Sequence, residues 1–520
     1  MINSIFNNLA LNLINFFNNN LQITALSVEL TAYVKICSAI INVIILTLLF
    51  LFVLNTIFNF FFIKNSKIYK LFKFINMFFL IIILFLLFIK LFLSLKLEQT
   101  FGILIYDIKY DFYKNNNHSY YEFFIVFSSS FSDVILILAF ITGFICVELM
   151  GFKNLFKNIN NLSIFYVFVI FVTIMVTTNN LLVMYLSFEF IFFPTIYFVY
   201  KLAYSKKSDK ANESLYLWTL FGSFLVLCVL AYIFNKFNNL NYIYLSHQHF
   251  SSIETKLIFI LILLGFGIKI PIAPFHFWLL KVHVEAPTAL SIFLSGFLVK
   301  SSLYCLFMFL NLFNVTEYYF FFTCWILYSL IIATIGLAKQ IDLKRLIAWA
   351  TVQEMTFMLL FIIFKQILLT HTCILFLLLH GLLSTYMFYI VDILQRRFKT
   401  RSVQFIKGLH LTLPKMTKHI WFLIFIFSGF PLTAKFFIEW SLISLLIESN
   451  MLIFIYIIVL VNFLGTVFFC RIMFIILFGV HEKNTKMSEI SFIETQKKEY
   501  STLNTLVFFL LILTLLIYIF

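Results

Sequence analysis

Apolar runs of about twenty residues recur from near residue 38 to the last residue, separated by short polar stretches. A bilayer's hydrocarbon core, about 30 Å thick, takes about 20 helical residues to cross, so each run predicts a spanning helix. The runs are continuous rather than alternating, which excludes a β-barrel. Fourteen spans are predicted, centred near residues 50, 84, 141, 170, 190, 224, 263, 298, 329, 353, 378, 431, 461 and 511. The fold class is all-α: a polytopic membrane protein with about 14 transmembrane helices.

The basic residues support this register. If the spans alternate in direction, 25 of the 37 lysines and arginines fall in loops on one side. Eight fall on the other side and four lie inside spans. That asymmetry is the positive-inside signal, and one missed span would scramble it downstream. Both termini are expected on the outer side, with the basic loops facing the matrix or cytoplasm. The net charge of +15 then follows from topology and anionic inner-leaflet lipids, so no nucleic acid is called for.

Composition narrows the class further. With 63% hydrophobic and 11% charged residues, the chain has too little polar surface for a soluble protein of 520 residues. The 74 phenylalanines, with abundant Ile, Asn, Lys and Tyr, suggest A+T-rich codons. The plain reading is a phenylalanine-rich membrane protein; the sharper one is an organelle-encoded protein. The N-terminal stretch has neither the charged n-region of a secretory signal nor the arginines of a transit peptide, in keeping with the second. The seven cysteines show no CxxC spacing and read as packing residues. There is no Gly-rich phosphate loop and no heme or dinucleotide motif, so no cofactor is expected in this chain.

Candidate chemistry lies in charged residues that interrupt the apolar runs. A charge at mid-bilayer costs about 2.5–3.5 kcal/mol on insertion scales and marks ion or proton pathways. Glu189 lies mid-span in LLVMYLSFEFIFFPTIYF, followed by Pro194. Lys269 precedes Pro271 and Pro274, and proline frees upstream carbonyls that water can satisfy. Lys300 lies in SIFLSGFLVKSSLY, among small and hydroxyl neighbours. Glu354, His380 and the pair Lys435/Glu439 occupy three further spans. Lys435 and Glu439 are four apart and share a helix face, so an intrahelical ion pair is their simplest reading. A structural ion pair is the alternative for Glu189, and a satisfied core histidine for His380. Glu148, Lys365, Asp392 and Arg471 read as interfacial. His276, His283 and Glu285 are expected in a loop, lining an entrance or docking a partner.

The segment Pro274-Phe275-His276-Phe277-Trp278-Leu279, continuing to Lys281-Val282-His283-Val284-Glu285-Ala286-Pro287, resembles a family signature, PFHxWLPKAHVEAP. The signature is that of the subunit-4 family of NADH dehydrogenase, an antiporter-like proton-pumping subunit of mitochondrial respiratory complex I. Phe188-Glu189 with Pro194, the run Asp342 to Ala348, His380-Gly381-Leu382 and Pro431 to Glu439 extend the resemblance from about residue 130 to 445. The resemblance implies two inverted five-helix repeats with broken helices. It implies a proton path through Glu189, Lys269, Lys300, His380 and Glu439. Glu354 is a further candidate, because the family carries Ser-His-Met where this chain has Gln353-Glu354-Met355. Lys435 replaces a small residue, and the two departures are expected to compensate each other.

The implied organisation is 1–130 for N-terminal helices and an outer-side loop, 131–318 for a first half with the Glu/Lys site, 319–480 for a second half with a lateral path and exit glutamate, and 481–520 for a matrix-side loop and last helix. The implied setting is the mitochondrial inner membrane. Implied partners are other membrane-arm subunits, especially the other antiporter-like ones, and lipids including cardiolipin. Flavin, iron–sulfur clusters and ubiquinone are expected in partner subunits. The alternatives are a subunit of a cation/proton antiporter or membrane-bound hydrogenase, and a purely structural subunit.

Overall fold

The computed structural model describes residues 130–152, 159–202, 208–313, 319–363, 367–448, 451–480 and 497–519, with scattered helical residues between 44 and 89. The spans centred on residues 50 and 84 lie largely outside the described residues, as do Lys365 and the side chain of Glu148. Residues 1–113 form one unit and residues 114–520 a second, and every candidate site residue belongs to the second.

The remaining twelve predicted centres each fall on a described helix or, at residue 431, in a break between two. The helices are α1 (Ser130–Phe152), α2 (Ile159–Thr177), α3 (Leu181–Leu202), α4 (Ser208–Phe237), the short α5 (Tyr242–Ser246) and α6 (Ser252–Lys269). Then come α7 (Phe277–Glu285), α8 (Thr288–Phe293), a π-helical turn (Leu294–Leu298) and α9 (Val299–Leu310). They are followed by α10 (Tyr319–Ala338), α11 (Leu343–Ile363), α12 (Ile367–Phe398) and the short α13 (Leu409–Thr412). The last are α14 (Pro414–Phe427), α15 (Ala434–Glu448), α16 (Leu452–Phe478) and α17 (Lys497–Ile519). Among the described residues there is no strand, only the isolated bridges Asn180–Asn241 and Asp342–Ser402.

Local chemistry sets the helix limits. Ser251 and Glu254 close a capping box at the start of α6, each side chain taking the other's backbone N–H. Pro414 opens α14, where its missing N–H removes no helical bond. Two spans are broken. The first runs α6–α7 around Pro271 and Pro274; the second runs α14–α15 around Pro431. The break in the first is narrower than the sequence predicts. Only 270–276 is non-helical, so His283 and Glu285 belong to α7, and His276 and His283 are buried rather than displayed on a loop.

Spans α8–α9, α11 and α12 form the buried centre, whereas α4 and α16 turn apolar side chains such as Phe221, Phe224 and Phe463 outward. Such outward apolar faces suit contact with lipid, which offers backbone groups no hydrogen bonds and leaves every one to be satisfied within a helix. Close crossings depend on glycine. A Cβ on Gly222 of α4 would lie 2.6 Å from the carbonyl oxygen of Gly265 on α6, so the two backbones meet directly.

Candidate functional site

Glu189 and Lys269 meet at 2.5 Å, joining α3 to the end of α6. The lysine is 1% exposed. Its ammonium lies 4.4 Å from the ring centre of Phe188 and 5.1 Å from that of Phe192. The second carboxylate oxygen of Glu189 accepts from Ser223 Oγ on α4 at 2.7 Å. A buried ion pair holds only when its remaining lone pairs are met, and Ser223 meets one of them.

The break beside Lys269 is held by protein groups. Pro271 cannot donate, and the N–H of Ile272 bonds the carbonyl of Gly267 at 3.0 Å. The carbonyl of Ile268 is instead taken by the indole N–H of Trp278 at 2.8 Å. The indole of Trp325 takes the carbonyl of Ala273 at 2.9 Å. The sequence predicts water at these freed carbonyls; two tryptophans take the place of part of it.

Lys300 is completely buried at the start of α9, directly after the π turn. Its ammonium donates to the carbonyl of Ser295 within that turn. Among the described residues it forms no ion pair. Its charge interacts with that of Glu354. His380 on α12 is buried, and neither ring nitrogen has a hydrogen-bond partner among the described residues. It feels the charges of both Lys300 and Lys435.

The second cluster is where the sequence departed from the family signature. Lys435 at the start of α15 reaches Glu354 of α11 at 2.5 Å and Glu439 at 3.7 Å. It also donates to the carbonyl of Phe427, at 2.9 Å. The intrahelical pair thus exists but is the longer contact, and the partner on another helix is the nearer one. The expected mutual compensation of Glu354 and Lys435 is a direct ion pair.

The six candidates, with Lys435, therefore resolve into two acid–amine clusters, Glu189/Lys269 and Glu354/Lys435/Glu439, while Lys300 and His380 are buried singly. Several polar residues escaped sequence reasoning. Ser223 lies in an apolar run with no sequence signal of its own. Lys344, counted among the loop cations, is buried and donates to the carbonyl of Ala286 at 2.8 Å. Asp392, read as interfacial, is buried, pairs with Arg396 at 2.9 Å and accepts from Thr288. The Asp342-Leu343-Lys344 motif was the available signal for Lys344; for Asp392 the signal was its place one turn before Arg396.

Comparison with known proteins bears on the family and the fold. A family described as "NADH:quinone oxidoreductase/Mrp antiporter, TM" matches residues 178–465. The NADH-ubiquinone oxidoreductase chain 4 of Paramecium tetraurelia is 31% identical over 376 residues, covering 72% of this chain and 77% of that one. The chain 4 of Chondrus crispus is 32% identical over 294 residues, covering 55% of this chain and 59% of its own length. Among solved structures, a chain of an archaeal membrane-bound sulfane sulfur reductase superposes with a TM-score of 0.71 over 92% of this chain and 94% of its own, at 16% identity. A chain of respiratory complex I from Thermus thermophilus superposes with a TM-score of 0.68 over 91% of this chain and 97% of its own, also at 16% identity. At that identity the two structures bear on the fold.

Proposed function

The chain belongs to the NADH:quinone oxidoreductase/Mrp antiporter transmembrane family, and on that premise we propose how it works as a proton-translocating membrane subunit of NADH:ubiquinone oxidoreductase. The observation that carries the reading is the Glu189–Lys269 pair, its lysine buried, beside a broken helix.

Protons enter from the basic-loop side and load Lys269. They pass laterally through Lys300 and His380, with Glu354 as a further station, and leave from Glu439. Glu189 sets the state of Lys269: approach of the carboxylate stabilises the ammonium, and its withdrawal releases the proton. Removing one partner of a buried pair destabilises a protein by about 3–5 kcal/mol, which sets the scale of such an interaction. Moving a proton against about 150–180 mV costs about 3.5–4 kcal/mol. The two quantities are of the same order, a size at which one such pair can gate one proton per cycle.

The chain supplies proton transfer; flavin, iron–sulfur clusters and ubiquinone belong to partner subunits. The partners are the other membrane-arm subunits, above all the other antiporter-like ones, with lipids including cardiolipin around α4 and α16. The setting is the mitochondrial inner membrane, with the basic loops toward the matrix. The halves 131–318 and 319–480 are the working units. Relatives named chain 4 favour this reading over a subunit of a cation/proton antiporter.

The test is Lys269→Ala in the assembled enzyme. The expected result is loss of this subunit's contribution to protons translocated per electron, with electron transfer retained under uncoupled conditions. A normal proton-to-electron ratio would refute the assignment.

A further inference from the structure

The two acid–amine clusters occupy matching places in a repeated chain order. In the first, α3 begins one residue after bridge residue Asn180 and carries Glu189; α4 follows, then the bridge partner Asn241, then the broken span α6–α7 with Lys269. In the second, α11 begins one residue after bridge residue Asp342 and carries Glu354; α12 follows, then the bridge partner Ser402, then the broken span α14–α15 with Lys435. The backbone bonds around the bridges repeat as well. Leu181 N–H bonds Leu240 O and Tyr242 N–H bonds Asn179 O. Likewise Leu343 N–H bonds Arg401 O and Val403 N–H bonds Ile341 O.

The pairs themselves agree in detail. Acid and amine are 80 residues apart in one and 81 in the other. Each ammonium lies 2.5 Å from its carboxylate and 4.4 Å from a phenylalanine ring centre, Phe188 in one and Phe427 in the other. Each amine is at most 5% exposed and flanks a proline-containing break, Lys269 on its N-terminal side and Lys435 on its C-terminal side.

From this repetition we propose that Glu354, Lys435 and Glu439 form a second proton-loading site in which Lys435 carries the proton, as Lys269 does in the first. The proposal rests on the reading of the chain as a proton-translocating subunit. Two carboxylates and one ammonium leave the second cluster with one unbalanced negative charge, which one further proton neutralises. The transfer is balanced. An N–H bond of the Lys435 ammonium breaks as an O–H bond forms on Glu439, leaving a neutral amine beside a neutral acid, with Glu354 still a carboxylate. A proton arriving from the Lys300 and His380 side restores the ammonium, and Glu439 releases its proton onward. An ion pair serving only to hold α11 against α15 would keep its proton throughout.

Arginine separates the two cases, because it keeps the positive charge but does not release a proton in proteins. Lys435→Arg is compared with Lys269→Ala in the assembled enzyme, reading protons per electron in sealed vesicles and uncoupled NADH oxidation. The expected result is that Lys435→Arg lowers the ratio as far as Lys269→Ala does, while the double variant Glu354→His/Lys435→Ser, which replaces the ion pair by one titratable group beside Glu439, recovers it. A wild-type ratio in Lys435→Arg overturns the proposal. If that variant fails to assemble, Glu354→Gln/Lys435→Gln decides: a wild-type ratio there overturns the proposal, and a lowered one supports it. A wild-type ratio in Lys269→Ala would instead defeat the underlying functional reading.

Discussion

Ser223 holds the oxygen of Glu189 that Lys269 does not use, at 2.7 Å. The two residues lie on neighbouring helices, and the hydroxyl fixes how far the carboxylate can turn away from the amine. A hydrogen bond to a charged group contributes about 1.5–3 kcal/mol. Ser223→Ala is therefore expected to slow coupled proton translocation roughly tenfold, since about 1.4 kcal/mol is a factor of ten in rate. Ser223→Thr, which keeps the hydroxyl, should restore it. Proton uptake by vesicles during NADH oxidation measures both, and wild-type rates in Ser223→Ala would remove Ser223 from the site.

Trp278 is fully buried and its indole N–H is the partner of the Ile268 carbonyl. Trp278→Phe keeps most of the packing and leaves that carbonyl unpaired, at a cost of about 1–3 kcal/mol. The assembled complex should unfold at a lower temperature. Trp325→Phe, at a part-buried site on Ala273, should lower it less. Thermal unfolding of the two variants in parallel checks the order.

The meeting of Gly222 with Gly265 is backbone against backbone, so Gly222→Ala has no side chain to displace. Overpacking of this kind costs about 1–3 kcal/mol. Because Ser223 is the next residue and Lys269 lies one turn beyond Gly265, the variant should lose both assembly and coupled pumping. Gly465→Ala meets the flexible end of Gln353 instead and should be milder. Native electrophoresis and proton uptake report the two effects separately.

Lys236 and Glu254 pair at 2.6 Å at the exposed end of α4 and α6. Exposed pairs contribute little, because water and salt screen them. Lys236→Gln should leave thermal stability and pumping at wild-type values in moderate salt. A large loss in either would show that the α4–α6 end is more tightly coupled to the site than its exposure allows.

Much of this arrangement is legible in the chain because a membrane makes charge conspicuous. Glu189, Lys269 and Lys300 stand out in apolar runs, and Pro271, Pro274 and Pro431 announce the breaks. The pairings are less legible. Lys435 has Glu439 one turn away in sequence, yet its nearest carboxylate comes from Glu354, 81 residues earlier on another helix. Nothing in the local pattern encodes that crossing. Ser223 is hidden for the opposite reason: hydroxyl residues are common in spanning helices, where they bond their own backbone. The helix that carries His283 is hard to read because prolines on both sides of Phe277–Glu285 look like loop boundaries, although nine residues suffice for a short helix between them.

The π turn at Leu294–Leu298 lets the chain carry an extra residue without turning Lys300. A π turn accommodates one residue more than an α turn, so the helix beyond it keeps its face. Removal of a single residue from Leu294–Leu298 would let the segment close as plain α-helix, with Lys300 still on the same face relative to Thr288–Phe293. What the deletion would take away is the widened turn whose Ser295 carbonyl receives the Lys300 ammonium. Every charged residue would keep its place, and the buried lysine would lose its backbone partner.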